Sequence, residues 1–210
     1  MSKQRKPQLP KTPASQAAAC EAPTPNTASG DPEVEQMRRA EQVRRLVADG
    51  ARLLAAKRPG EAVPKLEEAL SLDPENVSAA INLGGAFIVQ GKHDRAVPAL
   101  ETASRLESDN AMVWSNLAAA YLGKLPFSDR DQQDRAIVAY ERALMADPRT
   151  PNLHYNLGLI YLERDDPLRA AAHFLSAVEM DPGDRDAQLW LDRIRRGEGG
   201  PADASPTGDS

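Results

Sequence analysis

The stretch His154-Tyr155-Asn156-Leu157-Gly158-Leu159-Ile160-Tyr161 carries a glycine in the middle of an apolar, helical pattern. A glycine inside a helix costs about 1 kcal/mol relative to alanine, so its presence needs a reason. A similar stretch, Ile81-Asn82-Leu83-Gly84-Gly85-Ala86-Phe87, occurs earlier in the chain. The recurrence predicts a repeated helical unit in which a small residue lets a second helix approach closely.

Small residues recur at a nearly constant spacing along the chain. The residues Gly50, Gly84, Ala118 and Gly158 are 34, 34 and 40 positions apart. Each is followed three positions later by a larger residue, namely Leu53, Phe87, Tyr121 and Tyr161. Each is then followed by a second small–large–small set: Ala62, Leu66 and Ala69; Ala96, Leu100 and Ala103; Ala136, Tyr140 and Ala143; Ala170, Phe174 and Ala177. This order predicts pairs of helices that cross at the small residues.

The period and the order of residues resemble the tetratricopeptide repeat (TPR). The third unit carries the fullest match, with alanine where the family has glycine: Trp114, Leu117, Ala118, Tyr121, Ala136, Tyr140 and Pro148. The resemblance implies an all-α fold, a right-handed α-solenoid of four helix–turn–helix TPR units plus a C-terminal capping helix. We place the TPR domain at 31–197, with units at about 43–76, 77–110, 111–150 and 151–184 and the capping helix at about 185–196.

Composition separates this body from two tails. Residues 1–30 are rich in Pro and Ala and have a net charge of +3, whereas residues 198–210 have a net charge of -3. Neither tail has enough large apolar residues to offset the entropy of ordering, so we expect both to be disordered. The body is net acidic, which disfavours nucleic acid as a partner. No run reaches the roughly 18 apolar residues of a membrane span.

The sequence offers no pattern typical of catalysis. His93, His154 and His173 have no Cys or His at metal-ligand spacing, so we expect packing or surface roles and no metal site. Phosphate-binding and nucleophile-elbow motifs are absent, and no cofactor is expected. The chain has one cysteine, Cys20, which fits a reducing compartment, so we expect a cytoplasmic protein. Because the catalytic patterns are missing, we also expect that the protein is not an enzyme. Ala17-Ala18-Ala19-Cys20 lacks the preceding apolar core of a lipoprotein signal.

The third unit is six residues longer than the other units, and the extra residues fall between its two helices, within 123–133. Ser128 with Asp131 predicts a variant capping box and an early start of the second helix. Two interpretations of the loop remain open. Phe127 is either tucked under a lengthened turn or available to a partner, and the first is favoured because isolated apolar loop residues are common.

The remaining candidate for function is the face of each first helix that the resemblance places on the concave side. Asn82, Asn116 and Asn156 occupy one equivalent position in three consecutive units. Amides both donate and accept, so such a row can hold the backbone of a peptide. The other residues expected at this groove are Arg44, Ile81, Ile88, Leu122, Tyr155 and Leu159. The predicted function is a scaffold or adaptor that binds an extended or helical segment of a protein partner.

Chaperone-binding members of the family clamp a C-terminal carboxylate with Lys and Arg, and here the matching places lack these cations. They hold Val47, Ala51, Asn82, Met112 and Asn116. An alternative function is that of a structural subunit, self-associating or docked permanently in a larger complex. The long helix expected from Asp31 would then expose Val34 and Met37 for association. The sequence leaves the oligomeric state and the identity of the partner open.

Overall fold

A computed structural model of the chain describes residues 31–198, so the predictions for residues 1–30 and for 199–210 lie outside the described part. Within that part the structure is all-α, and the prediction of an α-solenoid with a terminal helix is confirmed. Four helical pairs are followed by a single helix. The helices are α1 Pro32–Ala55, α2 Pro59–Leu72, α3 Val77–Val89, α4 His93–Leu106, α5 Ala111–Leu122, α6 Arg130–Ala146, α7 Leu153–Glu163, α8 Pro167–Met180 and α9 Arg185–Arg195.

Gly50, Gly84 and Gly158 lie where the two helices of a pair cross, as the sequence predicted. A Cβ built on Gly158 would lie 2.7 Å from Cε1 of Phe174 in α8. A Cβ on Gly84 would meet Leu100 at 2.6 Å, and the same distance separates a Cβ on Gly50 from Leu66. The loss of helix propensity at these positions is therefore offset by close packing between the helices.

Polar side chains fix the starts of several helices. Asp31 accepts a hydrogen bond from the backbone N–H of Glu33, with Pro32 as the first helical residue. Asn76 accepts from the N–H of Ala79, and Asn110 and Asp184 have the same role at α5 and α9. Each side chain satisfies an N–H group that the first helical turn leaves without a partner.

The insertion forms a short 3₁₀ helix, Leu125–Phe127, and α6 begins one turn early in the repeat register, at Arg130. The predicted capping box was misplaced by one residue. Asp129, not Ser128, accepts from the N–H of Gln132, and Gln132 in turn accepts from the N–H of Asp129. Ser128 instead donates to the carbonyl of Leu125, which closes the 3₁₀ turn.

Phe127 is 84% exposed, so the favoured interpretation of a ring tucked under the loop was wrong. The apolar residue of the loop that packs against the core is Leu125, two positions earlier. Both residues are large and apolar, and only the geometry of the 3₁₀ turn decides which of the two faces inward.

The last helix closes the end of the apolar core. Ala187 and Leu191 of α9 are buried against the fourth pair, and Trp190 stacks on Phe174 with ring centroids 6.2 Å apart. Solenoids need such a terminal element because the last repeat would otherwise expose its apolar face.

Candidate partner-binding groove

The candidate groove consists of the first-helix side chains that do not face the second helix of their own pair. Most of them are half-buried, including Ile81, Ile88, Leu122 and Leu159. Val89 and Met112 on the same helices are 73% and 59% exposed. Leu162, near the end of α7, is buried and does not contribute to this surface. The result is a mostly uncharged surface on successive first helices.

The three asparagines of the row have different surroundings, although all are half-buried. The amides of Asn82 and Asn116 make no hydrogen bond to any residue within 31–198, so their donors and acceptors remain available. Asn156 lies beside the hydroxyl of Tyr140 in the preceding pair. Burial raises the pKa of Tyr140 strongly, and hydrogen bonding to Asn156 partly opposes this rise. Asn156 therefore has a structural contact that the other two lack.

Arg44 does not offer a free positive charge to the groove. Its Nη2 lies 2.5 Å from Oε2 of Glu41, and Arg45 shares the same carboxylate. Hydrogen bonds from Arg44 and Arg45 lower the pKa of Glu41, which stays ionised at neutral pH. The expected single base of the surface is thus paired within its own helix, although one carboxylate shared by two arginines leaves a net charge of +1.

Tyr155 lies where the fourth pair meets α9. Its ring is 5.7 Å from that of Phe174, and Trp190 of α9 lies near its hydroxyl. Burial raises the pKa of Tyr155, and the contact with Trp190 partly opposes this rise. The C-terminal helix therefore covers part of the surface that was assigned to partner binding.

An arginine–glutamate–aromatic arrangement, which the sequence reasoning missed, recurs at the junctions between pairs. Arg135 lies 3.9 Å above the ring of Tyr121 and 3.3 Å from Glu101 of the preceding pair, to which the Tyr121 hydroxyl donates. Arg95 lies in the same way over Phe87 and pairs with Glu67 at 3.0 Å. The alignment of repeats that revealed the glycines also aligns these charged residues, so the signal was present.

Two histidines that appeared unrelated in sequence meet between α7 and α8. The Nδ1 atoms of His154 and His173 are 3.2 Å apart, and Tyr161 stacks on His173. One ring must donate and the other accept, so the contact requires at least one neutral imidazole. No group of three or more potential metal ligands occurs in the described part of the chain. The pair is a packing contact, in line with the predicted role.

Family models match most of the repeat region. A tetratricopeptide repeat model matches residues 53–121, a TPR repeat model matches 127–164, and a further tetratricopeptide repeat model matches 151–184. The chain belongs to the tetratricopeptide repeat family, as the resemblance indicated. Proteins of this family are typically non-catalytic, and membership supports a protein-interaction scaffold in general terms.

Solved structures agree with this fold at low sequence identity. MamA from Desulfovibrio magneticus RS-1 (residues 41 to the end) is 24% identical, with a TM-score of 0.60 over 68% of this chain and 77% of that one. PilF of Pseudomonas aeruginosa is 21% identical, with a TM-score of 0.65 over 76% and 70%. A thermophilic TPR protein of Thermus thermophilus is 23% identical, with a TM-score of 0.62 over 75% and 86%. No curated protein matches the sequence significantly.

Within residues 31–198, no helix is both long enough and apolar enough to cross a bilayer.

Proposed function

We propose that this protein is an adaptor whose first-helix surface holds an extended or helical segment of a protein partner, without catalysis of its own. The supporting observation is the pair of amides, Asn82 and Asn116, that lack partners among the described residues and sit between half-buried apolar side chains. Such amides can bind a peptide backbone, while neighbours such as Ile81, Ile88 and Leu122 accept apolar side chains.

The chemistry of the surface favours a partner segment with few charges. The only base assigned to it, Arg44, is paired with Glu41, which also pairs with Arg45. The exposed side chains of Val89 and Met112 add apolar area near the amides. Tyr155, Leu159 and Asn156 would extend the same site at its C-terminal end, where α9 limits access. The single cysteine of the chain agrees with the cytoplasm as the proposed compartment.

The test begins with a partner recovered from the source cell by pull-down with the full chain. Its affinity is then measured for the double variant Asn82→Ala/Asn116→Ala. Each hydrogen bond should contribute about 0.5–1.5 kcal/mol, so binding should weaken by about 1–3 kcal/mol if the contributions add. The melting temperature should not fall, because alanine is the better helix former and these amides have no partner among residues 31–198.

Asn156→Ala is the matched comparison. It should lower any affinity, and its melting temperature shows whether the fold depends on this amide beside the hydroxyl of Tyr140. Unchanged affinity in the double variant, with an intact fold, would place the binding surface elsewhere. The exposed Phe127 loop would then be the next site to test.

Self-association is a second candidate function, favoured by one observation. The 24 residues of α1 exceed the 11–13 of the other first helices, and Met37 on its N-terminal part is largely exposed. Light scattering on the full chain and on a chain lacking residues 1–40 distinguishes this role. A dimer that becomes a monomer after truncation supports a structural subunit, whereas two monomers exclude association through α1.

A further inference from the structure

The junction between the third and fourth pairs differs from the earlier junctions. The connection from α6 to α7, residues 147–152, is two residues longer than the connections 73–76 and 107–110. Asn152, which precedes α7, has a left-handed backbone with φ of 64° and makes no side-chain capping bond. The residues that directly precede α3 and α5, Asn76 and Asn110, cap their helices through their side chains. The start of α7 is therefore less well fixed.

The third and fourth pairs share one apolar core, but their helix backbones approach each other less closely than at the earlier junctions. Helices α1 and α3 lie side by side, as do α3 and α5, but α5 and α7 have far less contact. Contact between α6 and α7 is likewise smaller than between α2 and α3 or between α4 and α5. At the two earlier junctions an arginine of the second helix, Arg95 or Arg135, pairs with a glutamate of the preceding pair. The equivalent residue here, Arg169, pairs instead with Asp166 of its own unit.

A different arginine spans the junction. Arg164, at the end of α7, is only 13% exposed and makes three contacts to the N-terminal part of α6. Its Nε donates to Oε1 of Gln133 at 3.0 Å, and its Nη2 donates to the carbonyl of Arg130 at 3.2 Å and to the carboxylate of Asp134. Gln133 is itself 6% exposed and donates to the carbonyl of Ser128. These bonds connect the fourth pair to the inserted segment.

The extra turn of α6 creates this contact. Arg130 belongs to the turn that the insertion adds. Gln133 lies at the position of the repeat where the other second helices begin, namely Pro59 in α2, His93 in α4 and Pro167 in α8. In the second pair, Gln90 occupies the position that Arg164 has in the fourth pair. The helix that precedes this pair, α2, has no extra turn. The Nε2 atom of Gln90 is buried without a hydrogen-bond partner among the described residues. The side chain at this position of the repeat therefore has its hydrogen-bond partners in the fourth pair, beside the insertion, but lacks one in the second pair.

We infer that the insertion of the third unit is an intramolecular clasp, with Arg164 as its positioning residue. It holds α7–α9 against the first three pairs at the junction where the helix backbones approach each other least. Loss of the clasp allows α7–α9 to open as one unit while α1–α4 remain folded. Because the first helices of both parts contribute to the proposed partner surface, the clasp also fixes the relation between its two ends.

The test is hydrogen–deuterium exchange of the full chain, followed by mass spectrometry, for Arg164→Gln. This variant reproduces the situation at Gln90. Bonds to a charged group are worth about 1.5–3 kcal/mol, so amide exchange in α7–α9 should become about 10- to 100-fold faster, with α1–α4 unchanged. Asp134→Asn keeps the other two bonds of Arg164 and should give a smaller increase in the same helices.

Arg169→Gln is the matched control, because it removes an arginine of the same unit whose contacts, with Asp166 and with the ring of Tyr161, both lie within the fourth pair. The proposal would be overturned if amide exchange in α7–α9 were as slow in both Arg164→Gln and Asp134→Asn as in the control. An increase spread evenly over α1–α9 would also overturn it, since the arginine would then stabilise the chain as a whole. Neither measurement depends on a partner, so the outcome is independent of the proposed binding function.

Discussion

Single residues decide how closely the helices of each pair approach. Gly158 and Gly85 are both glycines inside first helices, yet only Gly158 faces another helix. Replacing Gly158 by Ala forces a Cβ against the ring of Phe174, which is fully buried and has little room to move. We expect the free energy of unfolding to fall by about 1–3 kcal/mol, and by more for Gly158→Leu, measured by thermal or urea denaturation.

Gly85→Ala is the control for this substitution. A Cβ there meets no atom within 4 Å, so the change should be neutral or stabilise the protein by up to about 1 kcal/mol through helix propensity. Equal stability of Gly158→Ala and Gly85→Ala would show that the crossing is not as tight as the structure indicates.

The contact between His154 and His173 predicts a dependence of stability on pH. Burial lowers the pKa of both residues below the ordinary 6.5, and the charge of His154 lowers that of His173 further. Protonation therefore favours the unfolded chain as the pH falls from about 6.5 towards the folded-state pKa values. The melting temperature should drop between pH 7.5 and 5.5, and drop less in His154→Gln/His173→Gln. His93→Gln is the control. An equal drop in the unmodified protein, the double variant and the control would contradict the assignment of the pH dependence to His154 and His173.

At the scale of secondary-structure elements, the start of α6 depends on one side chain. Asp129 accepts the N–H of Gln132 and completes a reciprocal capping box. Asp129→Ala should lower the free energy of unfolding by about 0.5–2 kcal/mol, as measured by urea denaturation, because it leaves an N–H of the first turn without its partner.

Ser128→Ala separates the observed cap from the one that the sequence predicted. It removes only the bond to the carbonyl of Leu125 and leaves the capping box intact. The expected loss is smaller than for Asp129→Ala, and the reverse order would mean that Ser128 is the effective cap.

The junctions between pairs use exposed ion pairs, and these should contribute little to total stability. The pairs Arg95–Glu67 and Arg135–Glu101 are both about half exposed. Such pairs are typically worth less than about 1 kcal/mol each. The stacking of each arginine on an aromatic ring restricts where it can lie, so the arrangement contributes more to the register of neighbouring pairs than to energy.

For the molecule as a whole, the charge of the groove limits the kind of partner. A peptide that ends in several acidic residues should bind weakly or not at all, because Arg44 is paired with Glu41 and the other clamp positions lack cations. Calorimetry with this peptide and with an amide-substituted version of it measures the effect of charge. A Kd below about 1 µM for the acidic peptide alone would contradict the description of the groove.

The sequence by itself determined the helical pairs, their order and the small residues at their crossings. These features depend on side chains 3–4 positions apart within a helix and on a pattern that recurs in each unit, so the residues involved are visible in one dimension. Caps such as Asp31 and Asn76 are visible in the sequence for the same reason, since a cap and the group it satisfies lie within three residues. The error of one residue at Ser128 arose because Asp129 is an equally good cap directly beside it.

The tertiary structure alone decided what lies between the units. His154 meets His173, Asn156 reaches Tyr140, and Arg164 reaches Arg130, Gln133 and Asp134. Each contact joins residues at least 16 positions apart whose distance depends on the angle between helices and on the length of one insertion. Phe127 and Leu125 likewise differ in exposure only because the 3₁₀ turn rotates one inward. A repeat pattern fixes what each unit contains, whereas only the packed helices fix which side chains of neighbouring units are brought within bonding distance.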